Sequence, residues 1–378
     1  MKTVSDLLFV PQYSKERLNP NFLSIYNERL PFAKDVIRGW AEGFEDRDNK
    51  FVQQFQLTFN SSFWELYLFA VLKELNLEVN MTYDRPDFVI EGENGFVIEA
   101  TIASHPGNGI PEWEKDFSRD TLEEWPLEKI IDNATLRIAN SFIGKSRHYK
   151  KSYDKLNHVQ GKPFVLAIAP FDSPYTNEQR MQAIHRVLYG FDRHIAIDWD
   201  EYNRDILGTI YMNEIDKTKD AKVPLGYFTT PEFSHISAVI FSNTATFSKV
   251  RVMSDDPRIT LVSSSRYNDF GTQANNRVTE KREYEEHLLD GLIVFHNPFA
   301  SVPFNNKSFY HPVIAHSTFD INKKENISHI PHDFLFQRYI FTFGNENIQP
   351  PLELILEARK ELEKVMENNQ NKFPKFHD

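Results

Sequence analysis

Three carboxylates in the first hundred residues combine a reactive residue type with apolar surroundings. Glu65 is the single charged residue of a long apolar stretch, Asp87 opens a short apolar run, and Glu99 lies in the middle of another. A buried carboxylate must be paired, hydrogen-bonded or bound to a cation, because burial penalises its charged form. The three side chains are therefore candidates for one acid–base or metal centre.

Each acid also has a purely structural interpretation. Ser62 precedes Glu65 by three residues, which matches a capping box at the start of a helix. Asp87 follows Pro86 and would suit the end of a strand. Glu99 could face solvent on an edge strand, although its apolar neighbours indicate burial on both faces.

The geometry of a hairpin relates Asp87 to Glu99. If Asn94-Gly95 forms a two-residue turn, Glu99 shares a face with Ile90 instead. A loop of three or five residues places Asp87 directly opposite Glu99, with their Cβ atoms about 5 Å apart. Two carboxylates this close repel unless a divalent cation lies between them. We predict the odd loop, with Asn94 or Gly95 in the left-handed region.

The elements that must position these acids follow from periodicity and turn signals. Apolar and alternating patterns predict a helix, three strands, a second helix beginning near Pro126, and a fourth strand. In chain order these elements are 62–77, 77–83, 87–90, 96–102, 126 to beyond 145, and 164–169.

The chain beyond residue 170 is less regular. Strands are predicted at 206–212, 236–242, 259–262 and 292–296, helices at 177–188 and 352–368, and long connections at 213–235 and 297–335. We divide the chain into an N-terminal helical extension (1–50), a core (51–170) and a C-terminal α+β region (171–378). Whether the last is a second domain or an elaboration of one sheet stays open.

The order of these residues resembles the PD-(D/E)XK nuclease superfamily over about residues 60–170: a helix glutamate, then Pro86-Asp87, then Glu99-Ala100-Thr101. The resemblance implies an α/β fold, a restriction-endonuclease-like αβββαβ core with a mixed sheet. It implies phosphodiester hydrolysis with Mg²⁺ or Mn²⁺ held by Asp87 and Glu99, helped by the carbonyl of Ala100. By the same resemblance, Glu65 orients a metal-bound water.

Thr101 stands where the superfamily pattern has a lysine. It lies two residues after Glu99, hence on the same face of a strand, where its hydroxyl could hold a water; an ordinary strand residue is the alternative. On the following helix, Arg137, Ser141, Lys145 and His148 share one face, and Lys145 is our favoured substitute for the missing lysine. The alternative is a solvated helix face. His105 is a further candidate proton carrier.

Charge is distributed unevenly along the chain. The protein carries a net charge of −11, yet residues 137–162 contain seven Lys or Arg residues against one acid, Asp154. Phe142, Tyr149 and Tyr153 are interleaved with them. Cations gain affinity for phosphates by counterion release and aromatic rings can stack on bases, so this stretch predicts a nucleic-acid contact. A solvated amphipathic helix end is the alternative.

Composition excludes several other classes. The 378 residues include no cysteine, which excludes disulfides, thiol catalysis and cysteine-ligated metals. No phosphate-cradling glycine loop is present. Four histidines, His311, His316, His329 and His332, could bind zinc but stand in a loop-like context. Without a signal peptide or an apolar run long enough for a membrane span, we expect a cytoplasmic protein with no membrane partner.

We therefore predict a metal-dependent nuclease acting on DNA rather than RNA, with bacterial or phage defence as the setting suggested by fold analogy. Residues 171–378 would supply substrate choice, a protein partner or homo-oligomer contacts. The alternative is a catalytically inactive nuclease-fold module that binds nucleic acid or a protein partner.

Overall fold

A computed structural model describes residues 2–27, 31–107, 109–114, 125–171, 173–198, 204–269, 274–344 and 351–370. The α-helices described in these ranges, in chain order, are α1 Val4–Leu7, α2 Pro20–Tyr26, α3 Pro31–Trp40, α4 Phe51–Leu57, α5 Asn60–Glu74, α6 Leu127–His148, α7 Gln182–Tyr189, α8 Phe247–Met253 and α9 Leu352–Gln370. None of these helices is both long enough and apolar enough to cross a membrane.

The strands form one large mixed sheet and three small antiparallel ones. They are β1 Phe88–Ile90, β2 Phe96–Ser104, β3 Phe164–Phe171, β4 Phe191–Asp198, β5 Arg204–Tyr211, β6 Glu214–Thr218, β7 Ala221–Pro224, β8 Ala238–Phe241, β9 Thr260–Arg266, β10 Asn275–Glu280, β11 Ile293–His296, β12 Ala315–Asp320, β13 Glu325–His329 and β14 Leu335–Thr342. The large sheet has the order β1-β2-β3-β8-β11-β12-β13, and the small ones are β10-β9-β14, β4-β5 and β6-β7. The chain is therefore of the mixed α/β class.

Helices cover both faces of the large sheet. Along β2, Ile98 packs into the cluster that contains α1 to α5, whereas Val97 packs into the cluster that contains α6 and α7. The same alternation continues along β3, where Val165 and Leu166 belong to opposite clusters. Because successive side chains of a strand point to opposite faces, strands covered on both sides read as continuous apolar runs, which is why these strands were recognisable.

The predicted helix–strand order holds except for its first strand. In place of a strand at 77–83, the chain makes an isolated bridge between Val79 and Ile90, with Asn80 N donating to the carbonyl of Val89 at 2.8 Å. Asn80 Oδ1 then accepts from the backbone and hydroxyl of Thr82. Such a local side-chain turn competes with continued strand pairing.

The two predicted long connections contain regular structure. Residues 213–235 include the β6-β7 hairpin, and residues 297–335 include β12 and β13. Both stretches were assigned as connections because their Pro, Asn and Ser residues mark turns, but those turns join short strands. Since β8, β11, β12 and β13 share a sheet with β1 to β3, this part of residues 171–378 elaborates the same sheet.

The remaining predicted elements are present with shifted bounds. Strands β5, β8, β9 and β11 and helix α9 overlap their predicted positions. The predicted helix at 177–188 is split into a 3₁₀ turn, Thr176–Gln179, and helix α7. Arg180 separates the two with φ of +48°, a left-handed conformation that an α-helix cannot contain.

Candidate active site

The pairing of β1 with β2 places Asp87 opposite Glu99. Val89 pairs with Val97 and Ile90 with Phe96, so a five-residue connection joins the strands. Extending this register by one position beyond Phe88 brings Asp87 to Glu99, which confirms the predicted odd loop. The residue with left-handed backbone is Gly92 (φ +94°), however, and not Asn94 or Gly95.

Gly95 is required in this turn for another reason. Its amide donates to the carbonyl of Gly92 at 3.0 Å, closing the loop. A Cβ on Gly95 would lie 2.6 Å from the carbonyl oxygen of Ile90. The absence of a side chain therefore permits the tight connection that sets the register of the two acids.

Asp87 is held by the neighbouring strand. Its Oδ2 accepts a hydrogen bond from the amide of Ala100 at 2.7 Å. Burial and the charge of Glu99 raise the pKa of Asp87 to about 7, against the opposing effects of Lys145 and of the Ala100 hydrogen bond. The carboxyl of Asp87 therefore changes protonation near neutral pH.

Glu99 is buried, with 5% of its side chain exposed, and its two oxygens have different surroundings. Oε1 forms an ion pair with Nζ of Lys145 at 2.5 Å. Oε2 is buried and has no hydrogen-bond partner among the residues that the structure describes. A buried, unsatisfied carboxylate oxygen is costly unless a ligand uses it.

Lys145 reaches Glu99 because the polar face of α6 lies along β2. Arg137 Nε donates to the carbonyl of Ser104 at 2.6 Å, and Ser141 Oγ donates to the carbonyl of Ile102 at 3.0 Å. The alternative of a solvated helix face is therefore wrong for these three positions. His148, the fourth member of the predicted face, is exposed and lies beside the ring of Tyr153.

The ammonium of Lys145 stays cationic at this site. Burial lowers its pKa, but the carboxylates of Glu99, Asp87 and Glu65 outweigh that effect, and the net pKa is raised. The lysine is thus a permanent positive charge within an acidic cluster.

Glu65 joins the site from α5. That helix begins at Asn60, so Ser62 is its third residue and not its N-cap, and no side-chain hydrogen bond caps the helix. The capping-box interpretation of Glu65 is therefore wrong. Burial, followed by the charges of Asp87 and Glu99, raises the pKa of Glu65 well above its ordinary value.

Thr101 and His105 are less closely integrated. Thr101 is half-buried on the same strand face as Glu99, and no hydrogen bond of its hydroxyl is found within the described ranges. The ring of His105 packs edge-on against that of Trp113, with 5.7 Å between the ring centroids. The backbone carbonyl of His105 accepts a hydrogen bond from Arg137. Neither residue contacts the acids through a hydrogen bond in the described part of the chain.

Two residues that the sequence did not assign to the site are part of its surroundings. Arg47 lowers the pKa of Glu65 and of Asp87, although burial raises both overall. Burial, followed by the charges of Glu99 and Asp87, raises the pKa of Tyr153. Tyr153 was singled out only as an aromatic residue, and Arg47 carries no signal that its spacing could reveal.

The aromatic residues of the basic stretch are not free to stack on bases. Phe142 is fully buried against Tyr227 and Phe233, and the ring of Tyr149 packs on Phe164 at 4.4 Å. The buried Tyr153 belongs to the site itself. The prediction of base stacking by these rings is therefore wrong.

The cations of this stretch, in contrast, remain available to a ligand. A π-helical turn, Tyr149–Tyr153, continues directly from α6. Exposed cations surround this turn and the segment after it: Arg147, Lys150, Lys151 and Lys155. They lie next to the site because the turn continues directly from α6, whose Lys145 contacts Glu99.

The four histidines considered as possible zinc ligands do not form a common site in the described part of the chain. His316 hydrogen-bonds to His296, the ring of His311 stacks on that of His287, and His332 bonds to Asp269. Within the described ranges, no group of three or more His, Asp or Glu side chains has the arrangement of a metal site.

Two carboxylates nevertheless fit a hard divalent cation. Mg²⁺ commonly binds through one or two protein carboxylates and completes its shell with water and substrate phosphate. Asp87 and the unsatisfied Oε2 of Glu99 offer such a donor pair. Comparison of the chain with protein-family models, curated proteins and solved structures gives no match.

Proposed function

We propose that this protein is a metal-dependent nuclease that hydrolyses phosphodiester bonds, with DNA as the expected substrate. One observation carries the proposal: Asp87 and Glu99 are paired across two strands, and Lys145 contacts Glu99 at 2.5 Å. Two acids and a lysine at adjoining positions are the groups that the resemblance to the PD-(D/E)XK superfamily leads us to expect.

The topology around the site supports the same proposal. Helix α5 precedes the antiparallel pair β1-β2, and helix α6 connects β2 to the parallel strand β3. We infer that this unit is a restriction-endonuclease-like core whose first strand is reduced to a single bridge. In this proposal Lys145 on α6 takes the role that the superfamily pattern gives to a lysine at the position of Thr101.

Each residue of the site would have a different role in the reaction. Asp87 and Glu99 would hold Mg²⁺ or Mn²⁺, which when bound supplies a Lewis acid and makes water more acidic. Lys145 remains protonated and would stabilise negative charge on the phosphate. Glu65 and Thr101 would help to position the attacking water.

The basic turn supports a nucleic-acid substrate. Lys150 and Lys151 are exposed one turn beyond Lys145, where they can contact phosphates that flank the cleaved bond. Such contacts position a substrate without reading its bases. We expect such an enzyme to act in the cytoplasm, in bacterial or phage defence.

A second candidate function is a nuclease-fold module without catalysis. The observation that favours it is the Lys145–Glu99 ion pair itself, because a cation already neutralises one of the two acids. Metal-dependent thermal stability separates the candidates. A cation that binds only the native state raises the melting temperature, whereas a module that needs no metal shows no such rise.

The decisive experiment is a cleavage assay on single- and double-stranded DNA and RNA with Mg²⁺ or Mn²⁺. Wild type is compared with Asp87→Asn and Glu99→Gln, and with Glu93→Gln, which neutralises an exposed acid in the same hairpin. We expect cleavage by wild type and Glu93→Gln and loss of cleavage in the two site variants. No cleavage of any substrate, together with no stabilisation by metal, would overturn the nuclease proposal.

A further inference from the structure

Arg47 reaches the segment that leads into the site. It lies between α3 and α4, is half-buried, and donates from Nη1 to the carbonyl of Tyr83 at 2.5 Å. Tyr83 precedes Asp87 by four residues. The N-terminal region, which we treated as an extension of the core, therefore supplies a cation beside the acidic cluster.

The loop that carries Arg47 is fixed to the helix that carries Glu65. Phe44 packs edge-on against Phe69 at 5.3 Å, and Phe69 is one turn beyond Glu65 on α5. The neighbouring acid, Asp46, does not pair with Arg47. Its Oδ1 instead accepts a hydrogen bond from the amide of Phe51 at the start of α4. The packing of this loop therefore sets the position of Arg47. Its guanidinium forms no ion pair with Asp46.

Most of the donors of Arg47 are unused. A guanidinium has five N–H groups, and in the described part of the chain only the carbonyl of Tyr83 accepts from them. Arg47 makes no ion pair within 4.0 Å in those ranges, although its charge lowers the pKa of both Glu65 and Asp87. A planar fork of free donors beside an acidic centre matches the geometry of a phosphate group.

We propose that Arg47 binds a non-bridging oxygen of a backbone phosphate in the nucleic acid at this site. The inference rests on the proposed nuclease function and deepens it, because it assigns a substrate-binding residue outside the resembling segment. The hydrogen bond to Tyr83 holds the guanidinium in place, and the remaining donors receive the phosphate.

The test measures binding separately from cleavage. In the Glu99→Gln background, which is expected not to cleave, the affinity for a fluorescein-labelled DNA duplex is measured at several salt concentrations. Arg47→Ala is compared with Lys50→Ala, which removes an exposed cation from the same loop. We expect Arg47→Ala to weaken binding roughly tenfold, the size of one charge-assisted hydrogen bond, and to reduce the slope of log affinity against log salt by about 1.

The outcomes distinguish this inference from the proposed function. Suppose that the Glu99→Gln protein binds DNA and that Arg47→Ala and Lys50→Ala give the same slope of log affinity against log salt. Arg47 then does not contact phosphate, and this inference is wrong while the proposed nuclease function stands. If the Glu99→Gln protein binds no nucleic acid and wild type cleaves none, both this inference and the proposed nuclease function are wrong. Should Arg47→Ala unfold, Arg47→Gln and Arg47→Lys replace it, with the lysine expected to restore the slope but not the full affinity.

Discussion

The ammonium of Lys145 lies 2.5 Å from Oε1 of Glu99, although 46 residues separate the two along the chain. The contact follows from the spacing of a helix against a strand. Each step of four residues on α6 advances about 6 Å, and each step of two residues on β2 advances about 6.6 Å. With Arg137 at Ser104 and Ser141 at Ile102, the next step brings Lys145 to the level of Ala100, from which its long side chain reaches the adjacent Glu99.

Replacing Lys145 by methionine should abolish most of the activity. Lys145→Met keeps the length of the side chain but removes the charge beside Glu99, so we expect kcat to fall roughly hundredfold, as when a group that stabilises transition-state charge is lost. Cleavage of labelled DNA measures the effect. Lys217→Met, which removes an exposed cation of β6 that has no proposed role at the site, should retain kcat within about threefold. Equal losses in both variants would contradict a special role for Lys145.

A lysine at position 101 should partly rescue the loss of Lys145. Thr101 is two residues beyond Glu99 on the same face of β2, so the double variant Thr101→Lys, Lys145→Met returns a cation to the face of the acids. We expect kcat to be about tenfold higher than in Lys145→Met. The recovery is partial because a lysine at position 101 restores the ion pair with Glu99 only in part. A folded double variant with no recovery would contradict the idea that a cation at position 101 can replace Lys145.

The strands and the pairing of the acids could be predicted from the sequence because their causes are local. Apolar runs identify β2 and β3, and a period of two residues links Asp87 to Glu99 once the loop length is chosen. The prediction of Asn94 or Gly95 as the left-handed residue was wrong, because glycine occurs at both 92 and 95. Gly92 is needed for its backbone conformation and Gly95 for close packing, and the sequence alone does not tell these two reasons apart.

The contacts across long stretches of chain could not be predicted in the same way. The hydrogen bond of Arg47 with Tyr83 depends on how the N-terminal helices pack against α5. The burial of Phe142 depends on Tyr227, from a region assigned as a connection. Only tertiary packing decides such contacts, because neither periodicity nor turn chemistry carries information about them.

The protonation of Asp87 should make stability depend on pH. Its pKa is raised to about 7 by burial and by Glu99, above the value of about 3.9 in an unfolded chain. The stabilisation provided by the neutral form is present below about pH 4 and is lost as the pH rises through about 7. In the absence of metal, Asp87→Asn should therefore melt roughly 1–2 °C higher than wild type at pH 8, the shift expected for about 1 kcal/mol in a chain of this length.

The control for this pH effect is Asp84→Asn, at an exposed position of the same segment. The advantage of Asp87→Asn should shrink at pH 5, while Asp84→Asn should match wild type at both pH values. Mg²⁺ should stabilise wild type more at pH 8 than at pH 5, because a metal competes with protons for its ligands. An advantage of Asp87→Asn that is the same at both pH values would contradict the raised pKa.

Glu286 holds together an ion network that includes none of the proposed active-site residues. Its oxygens lie 2.7 Å from Nζ of Lys249 and 2.7 Å from Nε of Arg338, and all three side chains are at most 1% exposed. Burial alone would raise the pKa of Glu286, but Arg338 and Lys249 outweigh it and lower the pKa to about 2. The contribution of the ionised form is thus present above about pH 4 and is lost as the pH falls through about 2.

Glu286→Gln should destabilise the protein by about 3–5 kcal/mol, because it leaves two buried cations without a counter-charge. Urea unfolding at pH 7 measures the loss, and Glu283→Gln, an exposed neighbour, should be neutral within about 0.5 kcal/mol. Replacing all three members by apolar residues, as in Lys249→Met, Glu286→Leu, Arg338→Met, should recover much of the stability, since the desolvation cost of the ions disappears with them. If Glu286→Gln were as stable as wild type, the network would have no role in holding β14 to α8.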